Sequence, residues 1–227
     1  MKHIKSSLLL LLAALALGAC KKDKNNDGGT GFLRVLHGVP DAGAVEVRVN
    51  GTLVGTIGSY GLSFPYTAFN AGDVRLQLRR TGAGTDFVDV NLQVIKDGYA
   101  SFVVSDSVSK VRSAYVGEDP TPVTGKAKVN FYHLGTAAPA ASFTLPNGTV
   151  VSGSRTFNDH VTNATAVRYT LLDPGSVVME ARIPGTSGVN GTFGTSTQTL
   201  AAGKSYTYVF RNPIPPSNSP SITFIAN

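Results

Sequence analysis

Apolar and polar residues alternate with a period of two over much of the chain beyond residue 31. Val45, Val47 and Val49, for example, alternate with Glu46 and Arg48. This period is typical of half-buried β-strands, and Gly, Pro, Asn or Asp interrupts the pattern about every ten residues, as in β-sandwiches. No stretch in this region has a convincing period of 3.6, so the sequence predicts an all-β fold. Later strands are predicted over residues 87–94, 101–105, 110–116, 167–172, 177–182, 192–200 and 205–211.

The β pattern occurs twice. A strand ending in His37 opens the first copy and a strand ending in His133 opens the second, and in each copy a further strand then leads to an Asn-Gly pair, Asn50-Gly51 or Asn147-Gly148. Asn-Gly supplies the positive φ angles that a two-residue hairpin turn needs. Each pair is therefore predicted to form a β-hairpin.

The repeat predicts two tandem β-sandwich domains, immunoglobulin-like or transthyretin-like, over residues 32–117 and 126–227. Residues 118–125 contain two prolines and are predicted to be a short, semi-rigid linker. Each domain is long enough to bury a core of its own.

The first residues predict export and a lipid anchor. Lys2 and Lys5 precede an apolar run over residues 6–17, which is the pattern of a secretory signal peptide and is short for a membrane span. The sequence Leu17-Gly18-Ala19-Cys20 resembles a bacterial lipobox, whose cysteine receives a lipid. We therefore expect a signal peptide over residues 1–19, and a lipidated Cys20 with a flexible tether over residues 20–31.

Lys21 follows the lipidated position in place of the Asp that is associated with retention in the inner membrane. This favours the outer membrane, with palmitate among the acyl groups, and leaves open whether the domains face the periplasm or the exterior. The expected partner is thus the membrane, through the lipid anchor.

Composition excludes several classes of function. The formal net charge is +6, but no Lys/Arg run longer than Arg79-Arg80 occurs after residue 31, so no nucleic-acid partner is expected. A single Cys rules out a disulfide framework and any site with several thiolate ligands.

Residues 33–47, followed by Asn50-Gly51, resemble the opening of the bacterial domain of unknown function 4397, and residues 200–206 fit its closing pattern. The second copy keeps His133 but has Thr136-Ala137 where the first has Pro40-Asp41. The resemblance covers nearly all of residues 32–211. It implies a secreted or lipid-anchored β domain, often in tandem, without an established activity.

His37 and Asp41 are the candidates for catalysis, because a general base needs an orienting partner. An envelope hydrolase that uses this pair is therefore one alternative function. His133 lacks a matching Asp, however, and no Gly-x-Ser-x-Gly segment is present. We therefore predict that His37, Asp41 and His133 are structural turn residues, with Asp41 capping its own turn, and that the protein has no catalytic residue and is not an enzyme.

His160 lies beside Asp159, but no second His follows at ligand spacing, so neither a metal nor a cofactor is predicted. The densest aromatic group lies over residues 60–69, where Tyr60, Phe64 and Tyr66 are predicted ligand contacts if their rings are exposed. A glycan-binding surface adhesin is the second alternative function. The structural interpretation is that Phe64 and Phe69 pack inside a sheet while the tyrosines lie at its rim.

Together these features predict a lipid-anchored cell-envelope protein. Its tandem β-sandwiches would act as binding or spacer modules, without catalysis, towards an envelope protein or a glycan.

Overall fold

The computed structural model describes residues 28–186, 191–212 and 220–227. The predicted signal peptide, Cys20 and the tether up to residue 27 lie outside the described residues. Within the described ranges, no helix is long and apolar enough to cross a membrane.

The first half of the chain forms two four-stranded sheets that face each other. Its strands are β1 (Thr30–Gly38), β2 (Val45–Val49), β3 (Thr52–Ile57), β4 (Ser63–Asn70), β5 (Gly72–Arg80), β6 (Asp86–Val94), β7 (Tyr99–Ser105) and β8 (Arg112–Glu118). One sheet has the order β4-β1-β7-β8 and the other β3-β2-β5-β6.

The second half repeats this arrangement. Its strands are β9 (Ala127–His133), β10 (Ala141–Thr144), β11 (Val150–Arg155), β12 (Thr170–Leu172), β13 (Gly175–Arg182), β14 (Thr192–Leu200), β15 (Ser205–Arg211) and β16 (Ser221–Ala226). The sheets have the orders β12-β9-β15-β16 and β11-β10-β13-β14. A short helix, α1 (Asp159–Thr162), follows β11.

Strand order and direction correspond between the halves. In each half the first strand pairs in parallel with the seventh, β1 with β7 and β9 with β15. The predicted all-β fold with two sandwiches is therefore confirmed. Each sandwich has its own apolar core: Leu33, Val35 and Phe102 lie in the first, and Phe131, Phe143 and Tyr208 in the second.

Several predicted elements are displaced. The strand expected over residues 110–116 runs from Arg112 to Glu118 and is preceded by a 3₁₀ turn at Val108–Lys110. The strand expected over residues 167–172 is confined to Thr170–Leu172, after a 3₁₀ turn at Ala164–Val167. Glu118, placed by the sequence pattern in the linker, is the last residue of β8.

Both Asn-Gly hairpins form, but with different turns. Asn50 and Gly51 have φ of 51° and 82°, and Val49 pairs with Thr52, as a two-residue turn requires. In the second hairpin only Gly148 has a positive φ, and its N–H donates to Leu145 O at 2.9 Å. Pro146 fixes a negative φ at the first turn position. This hairpin therefore cannot adopt the two-residue turn that has two positive φ angles.

Candidate functional site

The two sandwiches pack against each other through one sheet of each, β4-β1-β7-β8 and β12-β9-β15-β16, called here the inner sheets. The contact is made by the face of each inner sheet that points away from the core of its own sandwich. Along β1, Leu33 and Val35 point into the first core, whereas Leu36 joins an apolar cluster shared with the second half. The members of this shared cluster, called here the apolar interface, are Leu36, Val103, Val116, Tyr132, Leu134, Val167 and Val209. The inner strands are consequently covered on both faces.

One end of the apolar interface holds a buried ion pair. Arg34 Nη2 of β1 lies 2.8 Å from Glu118 Oε1 of β8, and the side chains of both residues are 1% exposed. Ser101 Oγ and Tyr132 OH donate to the same carboxylate oxygen, each at 2.6 Å. Tyr132 belongs to the second sandwich, so the carboxylate joins the two halves.

The second carboxylate oxygen of Glu118 also accepts three hydrogen bonds. Glu118 Oε2 accepts from Arg34 Nη2 at 2.9 Å, from Tyr169 OH at 2.9 Å and from Tyr66 OH. The Arg34 guanidinium also lies 4.9 Å from the centre of the Tyr66 ring. Glu118 and the residues that surround its carboxylate are called here the Glu118 network. Its members are Arg34, Tyr66, Ser101, Glu118, Tyr132 and Tyr169.

The electrostatics of the Glu118 network follow from burial and pairing. Burial alone would raise the pKa of Glu118, but the Arg34 charge and the hydroxyl donors outweigh it and lower that pKa. Burial raises the pKa of Tyr66, and its contact with Glu118 adds to this, although Arg34 opposes it. Glu118 is thus a carboxylate and Tyr66 a neutral donor near pH 7, which suits a structural link between the sandwiches.

At the opposite end of the interface, Tyr60 forms hydrogen bonds that join the two halves. Its OH donates to Leu134 O at 3.1 Å and accepts from Asn212 N at 3.0 Å, both in the second sandwich. The Arg211 guanidinium lies 5.6 Å from the centre of the ring. Burial raises the pKa of Tyr60 to about 12, so the hydroxyl keeps its proton.

These contacts correct the prediction that Tyr60, Phe64 and Tyr66 form an exposed ligand-binding loop. Residues 63–70 are strand β4, Phe64 packs in the first core, and Tyr60 is 6% exposed in the interface. Tyr66 is half-buried in the Glu118 network, so these rings do not share an exposed surface. The structural interpretation is correct for Phe64 and Phe69, which pack in or against the first core, whereas Tyr60 lies in the interface and Tyr66 remains partly exposed.

His37 and Asp41 each bind backbone groups and are not hydrogen-bonded to each other. His37 is fully buried: its Nδ1 accepts from Val39 N–H at 3.3 Å, and its Nε2 donates to Gly43 O at 2.8 Å. Asp41 does not cap its own turn as expected; its Oδ1 accepts from Val108 N at 2.9 Å. Each residue therefore holds backbone in place, and burial lowers the pKa of His37.

The other two histidines in the described residues are buried as well. His133 Nε2 lies 2.9 Å from Pro139 O, which repeats the geometry of His37 in the second sandwich. His160, on α1, has its ring centre 5.3 Å from that of Tyr132, and burial lowers its pKa to about 4. Within the described residues, no group of three potential metal-ligating side chains comes together.

Two cavities lie on either side of the segment that follows Glu118. One, of about 530 Å³, lies between the aromatic residues Phe32, Tyr66 and Tyr99 on one side and Lys204 on the other. The second, of about 580 Å³, is lined by Tyr99, Arg168 and Tyr169 among others. Tyr99 lines both cavities.

Sequence reasoning missed the Glu118 network and the cavities. Arg34 and Glu118 are 84 positions apart, and no local pattern joins them. A usable signal was the unbroken apolar runs Phe102-Val103-Val104 and Tyr208-Val209-Phe210, because strands covered on both faces lose their alternation.

Comparison with known families decides the family of the chain. The family model described as domain of unknown function (DUF4397) matches residues 31–144, which is the first sandwich together with β9 and β10. The chain belongs to this family. No curated protein matches this member of the family.

Two solved structures are similar to this DUF4397 protein. One is CBMbc (family CBM26) from Eubacterium rectale Amy13K in complex with maltoheptaose, at 12% identity and a TM-score of 0.28, covering 87% of this chain and 97% of that chain. The other is a family 41 carbohydrate-binding module from streptococcal virulence factors, reported for alpha-glucan recognition, at 10% identity and a TM-score of 0.26, covering 85% and 96%. At these values neither likeness says what the chain binds.

Proposed function

We propose that this DUF4397 protein is a lipid-anchored envelope protein of the outer membrane, in which the two sandwiches form one rigid binding or spacer module without catalysis. The observation that carries the proposal is the interface. An apolar cluster, the Glu118 network at one end and Tyr60 at the other hold the halves in one orientation. Domains joined only by a linker move relative to each other unless their interface is extensive and apolar.

The anchor is proposed from the lipobox ending in Cys20 and from the polar tether after it. The alternative of an envelope hydrolase through His37 and Asp41 finds no support. His37 is fully buried, with both ring nitrogens bound to backbone, and Asp41 binds a different loop. A general base must reach the proton that it removes.

Rigidity is tested by spin-label distance measurements on the full chain carrying Cys20→Ser, so that only introduced thiols react. Asn91→Cys on β6 and Thr197→Cys on β14 place labels at exposed positions on the two outer sheets. One narrow distance distribution is expected. A broad distribution, typical of independently moving domains, would overturn the rigid-module proposal.

The anchor is tested separately by growing cells on an alkyne analogue of palmitate. The wild-type chain is expected to take up the label and to fractionate with the outer membrane, and Cys20→Ser is expected to do neither. Equal labelling of both chains would contradict lipidation at Cys20. Protease treatment of intact cells then shows which face of the membrane carries the domains.

A further inference from the structure

The cavity of about 530 Å³ lies at the end of the molecule where β1 and β7 begin, between the two sandwiches. Its volume falls within the range of small-ligand pockets, roughly 300–1,000 Å³. Residues from both halves line it: Phe32, Tyr66 and Tyr99 come from the first sandwich, and Lys204 and Ser205 from the second. The site therefore exists only when the two halves are docked.

The aromatic wall of the cavity is held rigidly. Phe32 and Tyr99 are register partners on β1 and β7, and their rings stack at 4.5 Å with 9° between the planes. Tyr66 meets Tyr99 edge to face at 5.3 Å, and its hydroxyl is fixed by Glu118. All three side chains are partly exposed, so a ligand would find a preformed apolar surface and little side-chain entropy would be lost on binding.

The rest of the lining mixes Pro120 and Pro122 with polar side chains. Lys204 is exposed, and among the described residues no carboxylate forms an ion pair with it, while Thr121 and Ser205 also line the cavity. Within the part of the chain that the structure describes, no acidic residue lines this cavity. The lining thus combines aromatic surface with hydroxyl groups and one cation.

From this lining we propose that the cavity binds a pyranose ring of a glycan chain. A pyranose offers apolar C–H groups to aromatic side chains and hydroxyls to polar ones, which are the two kinds of surface that the cavity presents. The adjoining cavity of about 580 Å³ shares Tyr99, so neighbouring sugar units of one chain have space on both sides of residues 118–122. This inference rests on the proposed function as a binding module and names its ligand class.

A peptide that binds by strand addition does not suit the cavity. This mode of binding adds a strand to a free sheet edge. Phe32 and Tyr99 lie on β1 and β7, the two inner strands of their sheet, whose backbone groups are already paired on both sides.

The test measures binding of the full, detergent-solubilised chain to soluble glycans by calorimetry and tyrosine fluorescence, which is unobscured because the chain has no Trp. The probes are maltoheptaose, cello- and chito-oligosaccharides as neutral chains and oligogalacturonate as an acidic one. Binding to at least one probe is expected, and Tyr99→Leu should weaken it about tenfold. Lys204→Ala should weaken an acidic probe more than a neutral one.

Matched controls use the same changes outside the cavity. Tyr115→Leu alters a half-exposed tyrosine on β8, and Lys110→Ala alters a lysine beyond the far end of β7; both should bind as the wild type does. Failure of the folded wild type to bind any of these probes, or equal binding by Tyr99→Leu, would overturn the proposal. Binding of Pro-rich peptides in their place would also overturn it. The spin-label distances are measured independently, so the rigid module can hold even if the glycan site fails.

Discussion

At the scale of single residues, Glu118 has the least freedom to change. Removing an ion from water is costly, and a buried ion pair repays this only when further hydrogen bonds complete both partners. Glu118 meets that condition, because Arg34, Ser101 and three tyrosines donate to its two oxygens. Losing the carboxylate would leave Arg34 buried without a counter-charge.

Glu118→Gln is therefore expected to lower the free energy of unfolding by about 3 kcal/mol, measured by urea denaturation at pH 7. Asp89→Asn is the matched control, since it removes the same charge from the exposed pair with Arg75 and should cost less than about 1 kcal/mol. Equal losses in the two variants would mean that the buried pair has no special role.

The lowered pKa of His160 predicts how the stability of the protein depends on pH. Burial is the main reason for its lowered pKa; Asp159 opposes the shift and Arg155 adds to it. The unfolded chain takes up this proton near pH 6.5, whereas the folded chain does so only near pH 4. The contribution of His160 to stability is therefore complete above pH 6.5 and is lost as the pH falls towards 4.

Between pH 7 and pH 5 this histidine alone should lower the free energy of unfolding by about 2 kcal/mol. His160→Phe should remove that part of the pH dependence, as judged from urea denaturation at the two pH values. His37 and His133, whose pKa values are also lowered by burial, should contribute to the pH dependence that remains. An unchanged pH dependence in His160→Phe would show that this ring is not the titrating group.

At the scale of the elements, the turn of the first hairpin depends on the backbone conformation of Gly51. Gly51 has a φ of 82°, and a Cβ built there would meet no atom within 4 Å. Gly51→Ala should therefore cost about 1 kcal/mol through the positive φ and not through a clash.

Gly84→Ala is the matched control for that change. Gly84 also lies in a turn with open space around it, but it does not have a positive φ. This substitution should leave the free energy of unfolding nearly unchanged. Equal costs at the two glycines would contradict the conformational explanation.

Local patterns predicted most of the strands because period-two alternation and Asn-Gly turns act over a few residues. The second hairpin shows the limit of this reasoning, since Pro146 changes its turn type while leaving the hairpin itself in place. The sites depend on contacts between distant residues: Phe32 stacks on Tyr99, and Tyr60 binds backbone of the second sandwich. Such pairs leave no signal in the alternation, so the prediction that Tyr60, Phe64 and Tyr66 share one exposed surface was wrong, although Tyr66 lines the cavity of about 530 Å³.

At the scale of the whole molecule, the inner strands belong to two cores at once. β1 faces the first core with Leu33 and Val35 and faces the second sandwich with Arg34 and Leu36. β9 does the same, with Phe131 in its own core and Tyr132 in the interface. Loosening the interface should therefore loosen both sandwiches, and the molecule should unfold in one transition.

Leu134→Ala tests this coupling. Leu134 is fully buried in the apolar interface and accepts the Tyr60 hydroxyl at its carbonyl, so truncating its side chain opens a cavity between the halves at a cost of about 2–5 kcal/mol. Hydrogen exchange followed by mass spectrometry should then show faster exchange in β2 and in β10 alike. Leu171→Ala, at a half-exposed leucine of β12, should change neither. Faster exchange confined to β10 would mean that the sandwiches fold independently and that the interface does not couple them.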